Sequence, residues 1–227
     1  MLTQEEIKKK LGTYAAGLVS ANSTIGLGTG STVFWLIKEL ADRIQQGLEI
    51  KIVPTSSSTK LLARQHEIEI VELNDVDTLA MTIDGADEID PSFHMVKGGG
   101  GALLQEKMVA AASDQLIIIA DESKWVNQLG RFPLPVETMP MGWKQVKKKI
   151  AMMGCENIVL REKNDIPYVT DNGHYILDCH FEKINDAAAL NTALHLLPGV
   201  VETGLFINMA DTVIIGDVSG NITIKTK

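Results

Sequence analysis

Three short stretches of this chain combine residue types that can bind or transform a small polar ligand. In Gly26-Leu27-Gly28-Thr29-Gly30-Ser31-Thr32, three glycines let the backbone approach a ligand closely, and Thr29, Ser31 and Thr32 add hydroxyl donors. The stretch lies between an apolar run and a helical pattern. A helix start there offers free N–H groups and a positive dipole end, which is good chemistry for a phosphate. A dinucleotide site wants G-x-G-x-x-G and an acid ending the second strand. Here the spacing is G-x-G-x-G, and that strand ends Val53-Pro54-Thr55-Ser56. The missing acid also weakens a methyltransferase reading, and a P-loop needs a lysine before Ser31. A tight strand-to-helix turn without a ligand is the plainest alternative.

The second stretch is Asp84-Gly85-Ala86-Asp87-Glu88, after the apolar segment Leu79 to Ile83. Acids at the carboxyl end of a parallel strand point into the usual ligand crevice of such sheets. Asp84 and Asp87 can hold sugar hydroxyls or move protons. A solvated turn with a capping Asp, or a magnesium site, would use the same residues. The third stretch is Lys97 followed by Gly98, Gly99, Gly100 and Gly101. Each glycine costs about 0.5–1 kcal/mol relative to alanine in regular structure. A backbone folded closely around a ligand explains four in a row better than a purely structural loop. Lys97 can stabilise an oxyanion. Glu106, on the helix that follows, can serve as general base if that helix faces the crevice. Its plainer alternative is a solvated position paired with a lysine.

These residues need elements to position them. Ser23 to Gly28, Leu48 to Val53, Ile68 to Val71, Leu79 to Ile83 and Gln115 to Ala120 read as strands, and Phe93 to Val96 leads into the glycine run. Helical apolar spacing (Val33, Leu36, Ile37, Leu40, Ile44) starts at Ser31, and further helices are expected over 57–66 and 102–112. Repeated βα units predict an α/β fold: a Rossmann-like, mostly parallel sheet with helices on both faces. Three prolines, Pro133, Pro135 and Pro140, mark a change of texture. Beyond them come a strand (134–138), a helix (143–153), strands (156–161 and 175–179), a helix (185–196) and a strand (200–204). That βαββαβ order predicts a smaller ferredoxin-like α+β domain, with Asp171-Asn172-Gly173 as a hairpin turn. Thr212 to Gly216 and Ile222 to Lys225 read as strands that return to the first sheet. The expected division is a catalytic α/β domain of residues 1–130 and 206–227 around a smaller domain of residues 131–205.

Composition narrows the function classes. The chain has 227 residues, 45% of them hydrophobic and 22% charged, which argues for a packed globular protein rather than disorder. A formal net charge of −8 argues against general nucleic-acid binding, so an anionic ligand needs a local site. No run approaches the roughly 18 apolar residues that span a bilayer, and the N-terminal MLTQEEIKKKLG, polar and amphipathic, lacks the apolar core of a signal peptide. No membrane association and cytoplasmic residence are the expectations. Cys155 and Cys179 form no C-x-x-C pair and read as buried apolar groups. His66, His94, His174, His180 and His195 are scattered, so no metal site is expected. The run Lys147-Lys148-Lys149 reads as a solvated helix face.

Taken in order, GTGST, DGADE, KGGGGAL-x-x-EK and the later Glu122-Ser123-Lys124 resemble the type A ribose-5-phosphate isomerases. The resemblance runs over essentially the whole chain and includes Gly130-Arg131-Phe132-Pro133-Leu134-Pro135-Val136-Glu137 and Pro198-Gly199-Val200-Val201. It implies reversible conversion of D-ribose 5-phosphate to D-ribulose 5-phosphate, in the non-oxidative branch of the pentose phosphate pathway, with no cofactor or metal. It places Thr29, Gly30, Ser31 and Thr32 in the substrate loop. Asp84, Gly85, Ala86 and Asp87 line the sugar, with Lys97, Gly98, Gly99 and Gly100. Glu106 is the implied proton acceptor, Lys124 binds substrate, and Lys8 matches a family lysine near the site. An enediolate route follows, with Lys97 stabilising the oxyanion and Asp84 or Asp87 shuttling hydroxyl protons. A homodimer or homotetramer is expected from apolar residues in the second domain. Rival functions are a non-catalytic sugar-phosphate sensor, an acyl transferase with a glutamate nucleophile, and an amino-sugar phosphate deaminase.

Overall fold

The computed structural model describes all 227 residues. Along the chain lie α1 (Gln4–Ala16), β1 (Ser23–Leu27), α2 (Ser31–Gln45), β2 (Ile50–Pro54), α3 (Ser57–Gln65), β3 (Met81–Asp84), β4 (Glu88–Ile89) and β5 (Met95–Val96). Then come α4 (Leu103–Ala111), β6 (Leu116–Asp121), β7 (Leu134–Thr138), α5 (Trp143–Ala151), β8 (Asn157–Leu160), β9 (Glu162–Lys163) and β10 (Ile166–Pro167). The last are β11 (Tyr175–His180), α6 (Ala187–His195), β12 (Val200–Thr203), β13 (Leu205–Phe206), β14 (Thr212–Gly216) and β15 (Ile222–Thr226). They form two compact units. One comprises Met1–Ala86, Gln105–Trp125 and Met209–Lys227; the other comprises Asp87–Leu104 and Val126–Asn208.

The first unit is built on a six-stranded sheet in the order β15-β14-β6-β3-β1-β2. All its pairings are parallel except that of the edge strand β15 with β14. Strand side chains alternate between faces. Ile25 and Leu27, Ile52, Ile83, Ile117 and Ile119 therefore share one core with Leu11 of α1 and with Leu36 and Leu40 of α2. Val53 packs with Val109 of α4 in a separate cluster. The N-terminal segment, polar in sequence, becomes α1 because Thr3 and Glu6 form a capping box and Ile7, Leu11 and Ala15 bury one stripe. No helix is long and apolar enough to cross a membrane.

The second unit holds a four-stranded sheet, β12-β7-β11-β8, antiparallel throughout. Numbered along the chain, these strands run 4-1-3-2, the ferredoxin-like arrangement that the βαββαβ order predicted. Val146 and Ile150 of α5 and Leu194 of α6 join Val136, Ile158 and Leu177 in its core. A three-stranded sheet, β13-β5-β4, and the hairpin of β9 and β10 complete it. Because β5 pairs with both β4 and β13, residues 87–104 group with this unit, whereas the sequence division placed them in the first.

One expected strand is shorter than its apolar run. Ile68 to Val71 forms only a single bridge, Ile70 to Ile52. Glu67 takes a left-handed φ of 57° before it, and the chain turns into a short helical turn at Leu73–Asp75, so too few residues stay beside β2 for a ladder. Ahead of the glycine run, Phe93 has φ 62° and closes a turn onto Asp90, and the two-residue β5 starts at Met95.

Candidate active site

In the first unit, β1 lies between β2 and β3. The chain thus departs to opposite sides of β1, creating the kind of switch point at which open parallel sheets bind ligands beyond their carboxyl ends. Gly28 leaves β1 here and donates its N–H to Ile83 O, 3.0 Å away. The Asp84 side chain, only 1% exposed, ends β3. Its Oδ1 accepts the N–H groups of Thr29 at 3.1 Å and Gly85 at 2.7 Å. A Cβ at position 28 would fall inside the Asp84 carboxylate, so only glycine fits. Gly30 then opens α2 with φ 130°, a conformation that side-chain-bearing residues rarely adopt.

Thr29 Oγ1 sits among hydroxyls at the end of β2 and the start of α3. It lies 2.9 Å from Thr55 Oγ1, 2.8 Å from Ser56 Oγ and 3.2 Å from Thr59 Oγ1. Thr59 Oγ1 in turn donates to Gly28 O at 2.8 Å. The dense hydroxyl run Thr55 to Thr59 was the available signal. Ser31 is exposed and Thr32 half-buried at the start of α2. At the carboxyl end of β6, Asp121 caps a short turn, Glu122–Lys124, that carries the half-buried Lys124. Lys8 is half-buried on α1. Glu106 lies in the first turn of α4 and is only 4% exposed. The positive end of a helix favours a carboxylate there.

In the second unit, Asp87 Oδ2 accepts Gly99 N–H at 2.8 Å. Lys97 is 2% exposed, with Nζ 5.4 Å from the centre of the Phe206 ring and its N–H bonded to Gly204 O. Gly101 N–H closes a turn onto Gly98 O at 2.9 Å. Arg161 and Tyr168, which the sequence reading passed over, reach the carbonyls of this glycine run. Glu88 has a different task from its motif neighbours. It is buried and accepts the N–H groups of Gly130 at 2.7 Å and Phe132 at 2.8 Å, so it anchors a loop.

No three His, Cys, Asp or Glu side chains come together as a metal-ligand group. His174 and His195 are held by Glu137 and Glu202. The cysteines are both buried, as expected, and a thiol–thiol hydrogen bond draws Cys155 below the usual thiol range while pushing Cys179 above it.

A parallel sheet whose carboxyl edge carries a glycine-hydroxyl loop, a buried acid and a lysine defines an α/β enzyme for a small ligand. Residues 51–220 match the family described as ribose 5-phosphate isomerase A (phosphoriboisomerase A). The ribose-5-phosphate isomerase A of Bacillus mycoides (strain KBAB4) is 54% identical over 215 residues, covering 94% of this chain and 97% of that protein. The ribose-5-phosphate isomerase A 1 of Oceanobacillus iheyensis is 46% identical over 226 residues, covering 99% of this chain and 100% of that one. Among solved structures, a D-ribose-5-phosphate isomerase in complex with phospho-erythronic acid superposes with a TM-score of 0.96 at 36% identity, covering 100% of both chains. The ribose 5-phosphate isomerase from Plasmodium falciparum gives 0.95 at 35% identity over 99% of each. The chain belongs to the ribose 5-phosphate isomerase A family, whose members are aldose–ketose isomerases.

Proposed function

We propose that this chain interconverts D-ribose 5-phosphate and D-ribulose 5-phosphate through a cis-enediolate, with Glu106 as the base. The observation that carries the chemistry is the place of Glu106: a buried carboxylate in the first turn of α4, the helix that follows Lys97 and the glycine run. In the open-chain aldose the C2 hydrogen is acidic, because the C1 carbonyl accepts the electron pair. Glu106 takes that proton. The pair forms the C1–C2 double bond, and the C1 oxygen becomes an oxyanion. Glu106 returns the proton to C1, while the O2 proton passes to O1 and C2 becomes the carbonyl. Lys97 offsets the oxyanion charge, assisted by glycine N–H groups. Asp84 or Asp87 shuttles the hydroxyl protons and helps open the furanose ring. Thr29, Gly30, Ser31, Thr32 and Lys124 bind the substrate, and Gly85, Ala86, Gly98, Gly99 and Gly100 line the sugar.

Two features support this reading. The relative bound to phospho-erythronic acid holds a phosphorylated, hydroxylated chain ending in a planar carboxylate, close in shape and charge to an enediolate. Backbone N–H donors already converge on Asp84 Oδ1, an arrangement that disfavours a cation at that oxygen. The expected setting is the cytoplasm, as a homodimer or homotetramer, with the exposed Met139, Met141 and Leu196 of the second unit as apolar surface for self-association.

The test is conversion of ribose 5-phosphate to ribulose 5-phosphate with and without EDTA. Turnover that survives EDTA supports the enediolate route. Turnover lost to EDTA and restored by magnesium makes Asp84 to Glu88 a metal site. No turnover in either condition favours a sensor or a transferase.

A further inference from the structure

We infer that Arg161 is a positioning residue for the isomerisation, setting the peptide planes of the glycine run that follows Lys97. This inference rests on the function proposed above. Arg161 leaves the end of β8, and its guanidinium is shared between two tasks. Nε lies 2.9 Å from Asp178 Oδ2 and Nη2 holds Asp178 Oδ1, which makes a two-pronged pair with a carboxylate on β11. Nη1 donates to Gly98 O at 2.8 Å and to Gly99 O at 3.2 Å. The pair is mostly shielded, with side-chain exposures of 15% for Arg161 and 19% for Asp178. Planar, charge-assisted bonds of this kind fix direction as well as distance.

The consequence follows from peptide geometry. In a trans peptide the C=O and the next N–H point in opposite directions. Holding Gly98 O towards Arg161 turns Gly99 N–H the other way, where Asp87 Oδ2 accepts it at 2.8 Å. Holding Gly99 O likewise turns Gly100 N–H away from the guanidinium. The same segment is braced from β10 onward. Tyr168 N–H donates to Arg161 O at 2.8 Å, and a Cβ at position 101 would meet the Tyr168 hydroxyl at 2.5 Å. A tetraglycine run has little conformational preference of its own. Arg161 supplies the order that the run lacks: it fixes the Gly99 N–H on Asp87 and directs the Gly100 N–H, the donor assigned to the developing oxyanion. Lysine cannot replace it, because one ammonium does not span a carboxylate and two carbonyls in a fixed fork.

Arg161→Ala and Arg161→Lys test this in the full chain. The expected result is a fall in kcat for ribose 5-phosphate of about 100-fold, with KM changed little and the thermal midpoint within a few degrees. Amide hydrogen exchange over residues 97–102 rises in both variants without substrate. Millimolar guanidinium, but not sodium chloride, returns part of the lost kcat to Arg161→Ala. Wild-type kcat and wild-type exchange in both variants overturn the inference. So does a loss of kcat that tracks loss of folded protein and ignores guanidinium. If Arg161→Ala does not fold, Arg161→Lys carries the kcat and exchange readouts. A wild-type chain that does not turn over ribose 5-phosphate overturns the proposed function and this inference together. An active wild type with Glu106→Gln inactive and Arg161→Lys unimpaired overturns this inference alone.

Discussion

Asp84 Oδ1 lies 3.1 Å from the Thr29 N–H, and its carboxylate occupies the volume that a side chain at position 28 would need. Strand β3 thereby holds the loop that leaves β1. Gly28→Ala must displace Asp84 or the loop. Overpacking of this kind costs about 1–3 kcal/mol, and here it also moves a charged group. The expected outcome is a lower thermal midpoint and a larger loss of turnover than of folded protein, read by calorimetry and steady-state kinetics on one preparation.

Glu106→Gln keeps the shape and removes the base. General-base contributions are about 10²–10⁴-fold, so kcat falls by that much while titration calorimetry still detects ribose 5-phosphate binding. Exchange of the substrate C2 hydrogen with solvent deuterium disappears in parallel. Near-wild-type exchange would remove Glu106 from the chemistry.

Glu88 separates a structural acid from those proposed to react. Removing its carboxylate leaves two loop N–H groups without their acceptor, at about 1–3 kcal/mol for each unsatisfied group. Glu88→Ala therefore lowers the urea midpoint strongly. At temperatures where it stays folded, its kcat remains within a few-fold of wild type. A loss as large as that of Glu106→Gln would give Glu88 a part in the reaction.

Burial pushes the Tyr168 phenol above its usual range, with the Asp171 carboxylate adding to the effect. The folded state therefore holds this proton more tightly than the unfolded chain does. Its contribution to stability is present below the ordinary tyrosine value near about 10 and is lost as pH rises from there through the folded value. Of the three tyrosines, one should ionise late in an ultraviolet titration. Tyr168→Phe should abolish that late step and flatten the alkaline fall in stability. A late step that persists in Tyr168→Phe would assign it elsewhere.

Much of the fold was legible because helix and strand periods are local. Val33, Leu36, Ile37 and Leu40 announced α2, and the order of elements beyond Pro133 announced the ferredoxin-like sheet. Ile68 to Val71 shows the limit of the same reasoning, because an apolar run does not record how long a neighbouring strand stays alongside.

The sequence by itself determined the cast of the candidate site: which glycines allow close backbone approach, which acid ends a strand, and where a lysine and a glutamate flank the glycine run. Only the tertiary structure decided how that cast is used. It placed β3 beside β1, so that Asp84 meets Thr29, and it turned Glu88 to the backbone of residues 130 and 132. It also brought Arg161 and Tyr168 to glycines more than 60 residues earlier. Those bonds depend on strand order and on contacts between distant segments. A periodicity of two or 3.6 residues describes only which way each side chain faces on its own element.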